Sequence, residues 1–148
     1  MEIKKISPPE ARDLMTGPEA YAYIDVRSIP EFTAGHPEGA VNIPLLHLDE
    51  AQGGMVPNPD FLKVAEANFP KEARLAIGCQ VGMRSQKAAE ILAEAGYQSV
   101  CNVWGGFGGL RDNTGQLVAQ GWQELGLPVS MENSEGVSYE SLASRAKP

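Results

Sequence analysis

What most constrains this chain is a strand, a short glycine-containing loop and a helix written without interruption between Arg74 and Gly96. Arg74-Leu75-Ala76-Ile77-Gly78 reads as a short buried strand. From Ser85 onward, Ala88, Ile91, Leu92 and Ala95 fall at i, i+3, i+4 and i+7, the apolar stripe of a helix, and Gly96 is placed to stop it. The same alternation recurs along the chain. Ser7-Pro8-Pro9-Glu10 has the spacing of a capping box with proline in the first turn, and Ala11, Leu14 and Met15 give that helix an apolar side. Tyr21 to Val26 reads as a central strand, Ile29 to Ala34 as a short turn of helix, and Ala40 to Pro44 as a second brief strand. Leu48 to Asp60 is loop-like, and Phe61, Leu62, Val64, Ala65 and Phe69 indicate a helix. Val100 to Trp104 reads as another strand and Leu117 to Leu125 as a last helix. Strands alternating with helices imply an α/β fold, a mostly parallel sheet with helices on both faces.

At 148 residues the chain is most simply one domain, with residues 1–129 as the folded unit and residues 130–148 as a polar tail, mobile or docked as a short helix. The net charge of −7, with no basic block, argues against nucleic acid and against a membrane surface as partner. No apolar run approaches a membrane span, and Met1 to Lys5 lacks the apolar core of a signal peptide. Cys79 and Cys101 form neither a Cys-x-x-Cys pair nor a metal-binding spacing. No metal or cofactor is expected, and a reducing cytoplasm is the expected location.

The chemistry concentrates in Cys79-Gln80-Val81-Gly82-Met83-Arg84-Ser85. A loop that opens a helix offers unpaired N–H groups and the positive end of the helix dipole, both of which favour an anion. A thiolate is such an anion and is the nucleophilic form of cysteine. Arg84 adds a cation. A cysteine that ends an apolar strand is commonly no more than a small buried hydrophobe. The Gly, Arg and Ser at fixed offsets single out Cys79 as the candidate nucleophile.

Three segments resemble the rhodanese homology domain. They are Ile24-Asp25-Val26-Arg27 with Glu31-Phe32 and Gly35-His36-Pro37-Glu38-Gly39-Ala40-Val41-Asn42-Ile43-Pro44, then Cys79-x-x-Gly82-x-Arg84-Ser85, then Asn102-Val103-Trp104-Gly105-Gly106-Phe107. They occur in that family's order and span nearly the whole chain. Pro37 departs from the pattern, which more often has an aliphatic residue there. The resemblance implies a rhodanese-like, five-stranded, mostly parallel sheet and a cysteine that carries sulfur as a persulfide. The donor would be a small sulfur anion such as thiosulfate, or a persulfide; the acceptor would be cyanide or a thiol, including a thiol on a protein. Such a two-step covalent transfer predicts ping-pong kinetics.

In that chemistry the N–H groups from Gln80 through Ser85 would form a nest around the terminal sulfur, with Gly82 permitting the tight curl. Arg84 would pair with the anionic donor, Ser85 would cap the helix, and Gln80, Val81 and Met83 would shape the rim. Cysteine-based phosphatases and arsenate reductases are the nearest rival; the phosphatases need one more residue between cysteine and arginine than the four present here. A module that relays sulfur or binds a partner without turnover is the other rival. Asp25, Arg27 and Trp104 are expected to support the loop: Asp25 through hydrogen bonds, Arg27 from a strand's C-terminal end, Trp104 as a wall. His36 reads as a turn residue, Cys101 as inert packing and Trp122 as C-terminal packing.

Overall fold

A computed structural model describes residues 3–146. In chain order its elements are β1 (Lys4–Ile6), α1 (Pro8–Thr16), β2 (Ala22–Asp25), α2 (Ile29–Ala34), β3 (His36–Pro37), β4 (Val41–Asn42), β5 (Leu46–Asp49) and β6 (Gly54–Pro57). They continue with α3 (Phe61–Asn68), β7 (Arg74–Gly78), α4 (Met83–Glu94), β8 (Ser99–Val103), β9 (Leu110–Arg111), β10 (Leu117–Ala119), β11 (Val129–Ser130) and α5 (Tyr139–Ser144). Five strands form the central sheet in the order β1-β8-β7-β2-β4, every neighbouring pair parallel.

Successive side chains of a strand point to opposite faces, and two cores follow from that. Ile24, Leu75 and Ile77 pack with Val64 of α3, Leu92 of α4 and Leu142 of α5. Tyr23, Ala76 and Val103 face the other way, against Ala11 of α1, Phe32 of α2 and Trp122. Helices therefore cover both faces. The start of α1 is the capping box its sequence spells: the Glu10 N–H donates to Ser7 Oγ (3.3 Å) and the Ser7 N–H to Glu10 Oε1 (2.9 Å).

Two segments differ from expectation. Leu48 to Asp60 is not simply loop, because β5 and β6 pair antiparallel with Leu48 opposite Met55, and Gly53-Gly54 lies at the hairpin's far end. Leu117 to Leu125 is not a helix. Asp112 Oδ1 accepts from the N–H groups of Thr114 and Gln116, which reverses the chain and sends Leu117–Ala119 back along β9. Local turn chemistry wins over a weak apolar pattern there. Trp122 is nonetheless fully buried, its indole N–H donating to Pro128 O (2.7 Å).

Beyond residue 128, β11 pairs with β3, the Asn42 N–H donates to Val137 O (3.0 Å), and α5 lays Leu142 into the core against α3. Asn68 of α3 donates to Leu142 O (3.0 Å), which ties the two helices together.

Candidate active site

Parallel strands deliver their C-terminal loops to one edge of the sheet, where ligand crevices form. The turn after β7 carries Cys79, and the neighbouring strands β2 and β8 bring Arg27 and Trp104 to the same edge. Cys79 is 1% exposed. Two backbone N–H groups donate to its Sγ, Gly82 at 3.1 Å and Ser85 at 3.4 Å. Ser85 belongs to the first turn of α4, whose free N–H groups have no partner within the helix. The dipole of α4 therefore opens toward the sulfur.

Why these N–H groups face the sulfur follows from where the loop's carbonyls go. Phe107 N–H donates to Cys79 O (2.8 Å), Gly108 N–H to Gln80 O (2.9 Å) and Gly105 N–H to Val81 O (3.0 Å). The Asn102 side-chain amide donates to Gly82 O (3.1 Å). Each carbonyl from Cys79 to Gly82 thus has a donor elsewhere. The close approach requires glycine at two points. At Gly82 (φ +124°) a Cβ would lie 2.9 Å from the Trp104 ring, and at Gly106 (φ +56°) one would lie 2.3 Å from Cys79 O. Trp104 consequently walls the loop through Gly82, as its position after β8 suggests.

Ser85 departs from its expected role. The N-cap of α4 is Gly82, and Ser85 lies inside the helix. Its hydroxyl donates to Asn102 Oδ1 (2.6 Å) and stands 3.3 Å from Cys79 Sγ. The Ser85 N–H meets the sulfur instead of a capping hydroxyl, and the serine side chain turns to Asn102 and Sγ. The nest is also narrower than expected: of the loop N–H groups, those of Gly82 and Ser85 bond the sulfur, while Gln80 turns its side chain to Arg27 (3.3 Å) and Met83 is 63% exposed. Val81 is half-buried on the rim.

Arg84 reaches Glu31 of α2 through two bonds, 2.7 and 3.0 Å. Glu31 also accepts from the Ser28 N–H (3.1 Å) and the Ser28 hydroxyl (2.9 Å). Burial by itself would raise this carboxyl, but the bonds from Arg84 and Ser28 outweigh it and bring it from 4.5 down to about 2. The same bonds hold the Arg84 guanidinium above its ordinary value, and negative charge on Cys79 acts in the same direction. A carboxyl whose folded value is depressed contributes stability above its unfolded value and loses it as pH falls through the folded one. The stability difference between the native chain and Glu31→Gln should accordingly be constant above about pH 5 and shrink between pH 4.5 and about 2. Urea denaturation of both proteins from pH 6 to 3 checks this; a difference that does not change with pH contradicts it.

Arg27 and Asp25 are buried at 3% and 1% exposure and paired through the Nε–Nη2 edge of the guanidinium, with Nε to Oδ1 at 3.0 Å and Nη2 to Oδ2 at 2.8 Å. Arg27 also donates to Gly35 O (2.7 Å) and lies 4.4 Å over the Phe107 ring. The pair therefore braces Gln80 from below and the Phe107 segment from the side. His36 stacks on Phe32 with ring centroids 3.6 Å apart and donates from Nδ1 to Phe32 O (2.8 Å). Burial lowers its pKa, and it makes no hydrogen bond to the Cys79 loop. Cys101 packs on the opposite face of the sheet, where burial pushes its thiol up to about 11. Both cysteines are free thiols. A cleft of about 360 Å³ lies between Trp104 and Lys5 to Pro9, and one of about 350 Å³ between the β5–β6 hairpin and Lys87 and Ile91 of α4; Cys79 lines neither.

Asn102 and Glu31 escape the sequence reading as members of the site, and the Gly105–Gly108 segment enters it only as the turn of Gly105-Gly106 with Trp104 beside the loop. Asn102 signals itself as the one polar residue in the run Val100-Cys101-Asn102-Val103. The glycine pairs read as a chain break, and Glu31 reads as a helix-start residue three beyond Ser28. Its contact with Arg84 spans 53 positions and leaves no local mark.

Residues 7–113 match the Rhodanese family, described as a rhodanese-like domain. Thiosulfate sulfurtransferase 16, chloroplastic, of Arabidopsis thaliana is 36% identical over 124 residues, covering 84% of this chain and 90% of that protein. Thiosulfate sulfurtransferase 18 of the same plant is 33% identical over 136 residues, covering 90% of this chain and 88% of its own length. The crystal structure of Rv0390 from M. tuberculosis superposes with a TM-score of 0.72 at 27% identity, covering 89% of this chain and all of that one. With its five parallel strands and the Cys79 loop at their C-terminal edge, this chain belongs to the rhodanese-like domain family.

Proposed function

We propose that this protein is a sulfurtransferase that carries a sulfane sulfur as a persulfide on Cys79. The observation that carries the reading is the pair of N–H groups from Gly82 and Ser85 on Sγ, at the mouth of α4, with the loop's carbonyls bonded elsewhere. Backbone N–H groups and a helix N-terminus stabilise negative charge without having to reorganise during reaction. In the first step the Cys79 thiolate attacks the outer sulfur of thiosulfate. The S–S bond of the donor breaks, sulfite leaves with the bonding pair, and the new Cys79 S–S bond holds a terminal anionic sulfur. In the second step cyanide or a thiolate attacks that terminal sulfur and leaves as thiocyanate or a new persulfide, returning the Cys79 thiolate. Gly82 and Ser85 bind the charge on sulfur, and Ser85 Oγ is placed to turn its proton from Asn102 toward an ionised Sγ. Arg84 stands beside the entrance for the anionic donor, and Gln80, Val81 and Met83 form its rim.

A cradle with two sulfur-directed N–H groups suits one sulfur atom better than the three oxygens of a phosphoryl group, which weighs against phosphatase chemistry. Turnover with a free thiosulfate pool and delivery to a thiol on another protein both follow from the same persulfide. Two free cysteines suit a reducing compartment, and we place the protein in the cytoplasm. Among the described residues no helix is long and apolar enough to cross a membrane.

Intact-mass measurement after brief thiosulfate treatment tests the proposal. The expected result is the gain of one sulfur atom, removed by cyanide with release of thiocyanate. A reduced, alkylatable Cys79 that gains no sulfur from thiosulfate or from a low-molecular-weight persulfide would overturn it.

A further inference from the structure

Both guanidinium groups beside the Cys79 loop already hold a carboxylate. Arg27 is paired with Asp25, and Arg84 with Glu31, each through two guanidinium nitrogens. These side-chain charges cancel, so what remains to attract an anion is the N–H pair of Gly82 and Ser85 and the roughly half-unit positive charge of the α4 N-terminus. That suffices for one negative charge on sulfur and is poorly matched to two. Asp25 is buried with Arg27 as part of the fold, whereas Glu31 and Arg84 keep side-chain exposures of 31% and 22% and meet at the entrance.

Resting on the reading of Cys79 as the sulfur carrier, we infer that Glu31 sets the net charge of the sulfur pocket and thereby biases it toward singly charged sulfane-sulfur donors over the thiosulfate dianion. Glu31 lies outside the loop and touches no reacting atom; it acts through Arg84. The two donor classes differ in charge and not in the bond that breaks. Thiosulfate gives the Cys79 persulfide and sulfite, a dianion. A thiosulfonate such as methanethiosulfonate gives the same persulfide and methanesulfinate, a monoanion, with the electron pair of the donor S–S bond leaving on the sulfinate. A pocket with Arg84 neutralised discriminates against the first.

The experiment compares kcat/KM for thiosulfate and methanethiosulfonate, with cyanide as common acceptor, in the native protein and in Glu31→Gln, Arg84→Gln and the double variant. Glutamine at position 31 still serves the capping box with Ser28, so the first variant removes charge and little else. It should raise the thiosulfate-to-methanethiosulfonate ratio about fivefold, the order expected for one unit charge at close range in a partly screened site. Arg84→Gln, which leaves Glu31 unpaired, should lower the ratio by a similar factor, and the double variant should return it toward the native value. The Arg84 arm stands by itself if Glu31→Gln does not fold. A role for Glu31 confined to holding α2 in place would slow both donors alike and leave the ratio unmoved, and that result overturns the inference while persulfide chemistry survives. Failure of the native protein to take sulfur from either donor or from a low-molecular-weight persulfide would remove the sulfurtransferase reading itself, and this inference with it.

Discussion

Cys79→Ser should abolish sulfur uptake and leave the fold in place. The serine hydroxyl fits where Sγ now sits and accepts from the same N–H groups of Gly82 and Ser85, so the buried cradle keeps its partners. An alcohol at this position is protonated at any working pH, and no persulfide can form on oxygen. Loss of the atom that makes and breaks bonds should cost at least about a thousandfold in rate, the scale seen when a covalent nucleophile is removed. The comparison is with Cys101→Ser. Burial holds the Cys101 thiol near 11, on the face of the sheet away from the loop, and that variant should take up one sulfur as the native chain does. Intact mass after thiosulfate, with cyanide release as the second readout, checks both. Sulfur retained by Cys79→Ser, or lost with Cys101, would assign the carrier to the wrong residue.

The second large effect belongs to a residue that touches no substrate. Asn102 is wholly buried and makes three bonds: to Gly82 O (3.1 Å), to Gln86 Oε1 (3.0 Å) and from Ser85 Oγ (2.6 Å). Asn102→Ala leaves a buried hydroxyl without its acceptor and the Gly82 carbonyl without its side-chain donor, and it opens a small cavity. The cost should be about 2–4 kcal/mol, within what a domain of this size withstands. The rate should fall further than stability suggests. Asn102 steadies the Gly82–Met83 peptide, next in the chain to the one whose N–H meets the sulfur; with Gln86 N–H then the remaining donor to Gly82 O, the cradle can shift, and misplacement of about 1 Å at a reacting centre costs on the order of a hundredfold. Persulfide formation measured beside urea midpoints distinguishes the two effects. A variant that is destabilised yet reacts at the native rate would show that Asn102 serves the fold and not the cradle.

How much of this was legible in the sequence depends on how far apart the cooperating residues lie. The β7–loop–α4 unit is local: an apolar strand, a glycine and a helical stripe within 23 residues, from Arg74 to Gly96, and the structure has each where the pattern sets it. The α1 capping box is local too. Ser85 reads as a cap, since serine near a helix start ordinarily is one, and the partner that holds it, Asn102, is 17 positions away. The Gly105–Gly108 segment reads as a break between elements; its function is to take up carbonyls from residues some 25 positions earlier, and nothing in a run of glycines says which carbonyls. Leu117 to Leu125 failed for the opposite reason. Its apolar pattern was weak, and the Asp112–Gln116 turn just before it redirected the chain. Arg84 was legible as a cation, but its neutralisation by Glu31 was not, because that contact belongs to the packing of α2 against the loop.

The hydrogen bond from Asn42 to Val137 O has a consequence that concerns other molecules. β4 is the last strand of the sheet, and an uncovered strand at that position is a template on which another chain can add itself. The segment around Val137, pinned by Leu142 of α5, occupies that place first. A chain cut after Ser130 would keep Cys79, both sulfur-directed N–H groups and all five strands; it should self-associate along β4, and light scattering of the two chains at equal concentration checks this. The final stretch of this protein thus occupies the open edge of β4, while the Cys79 loop lies at another part of the sheet's rim.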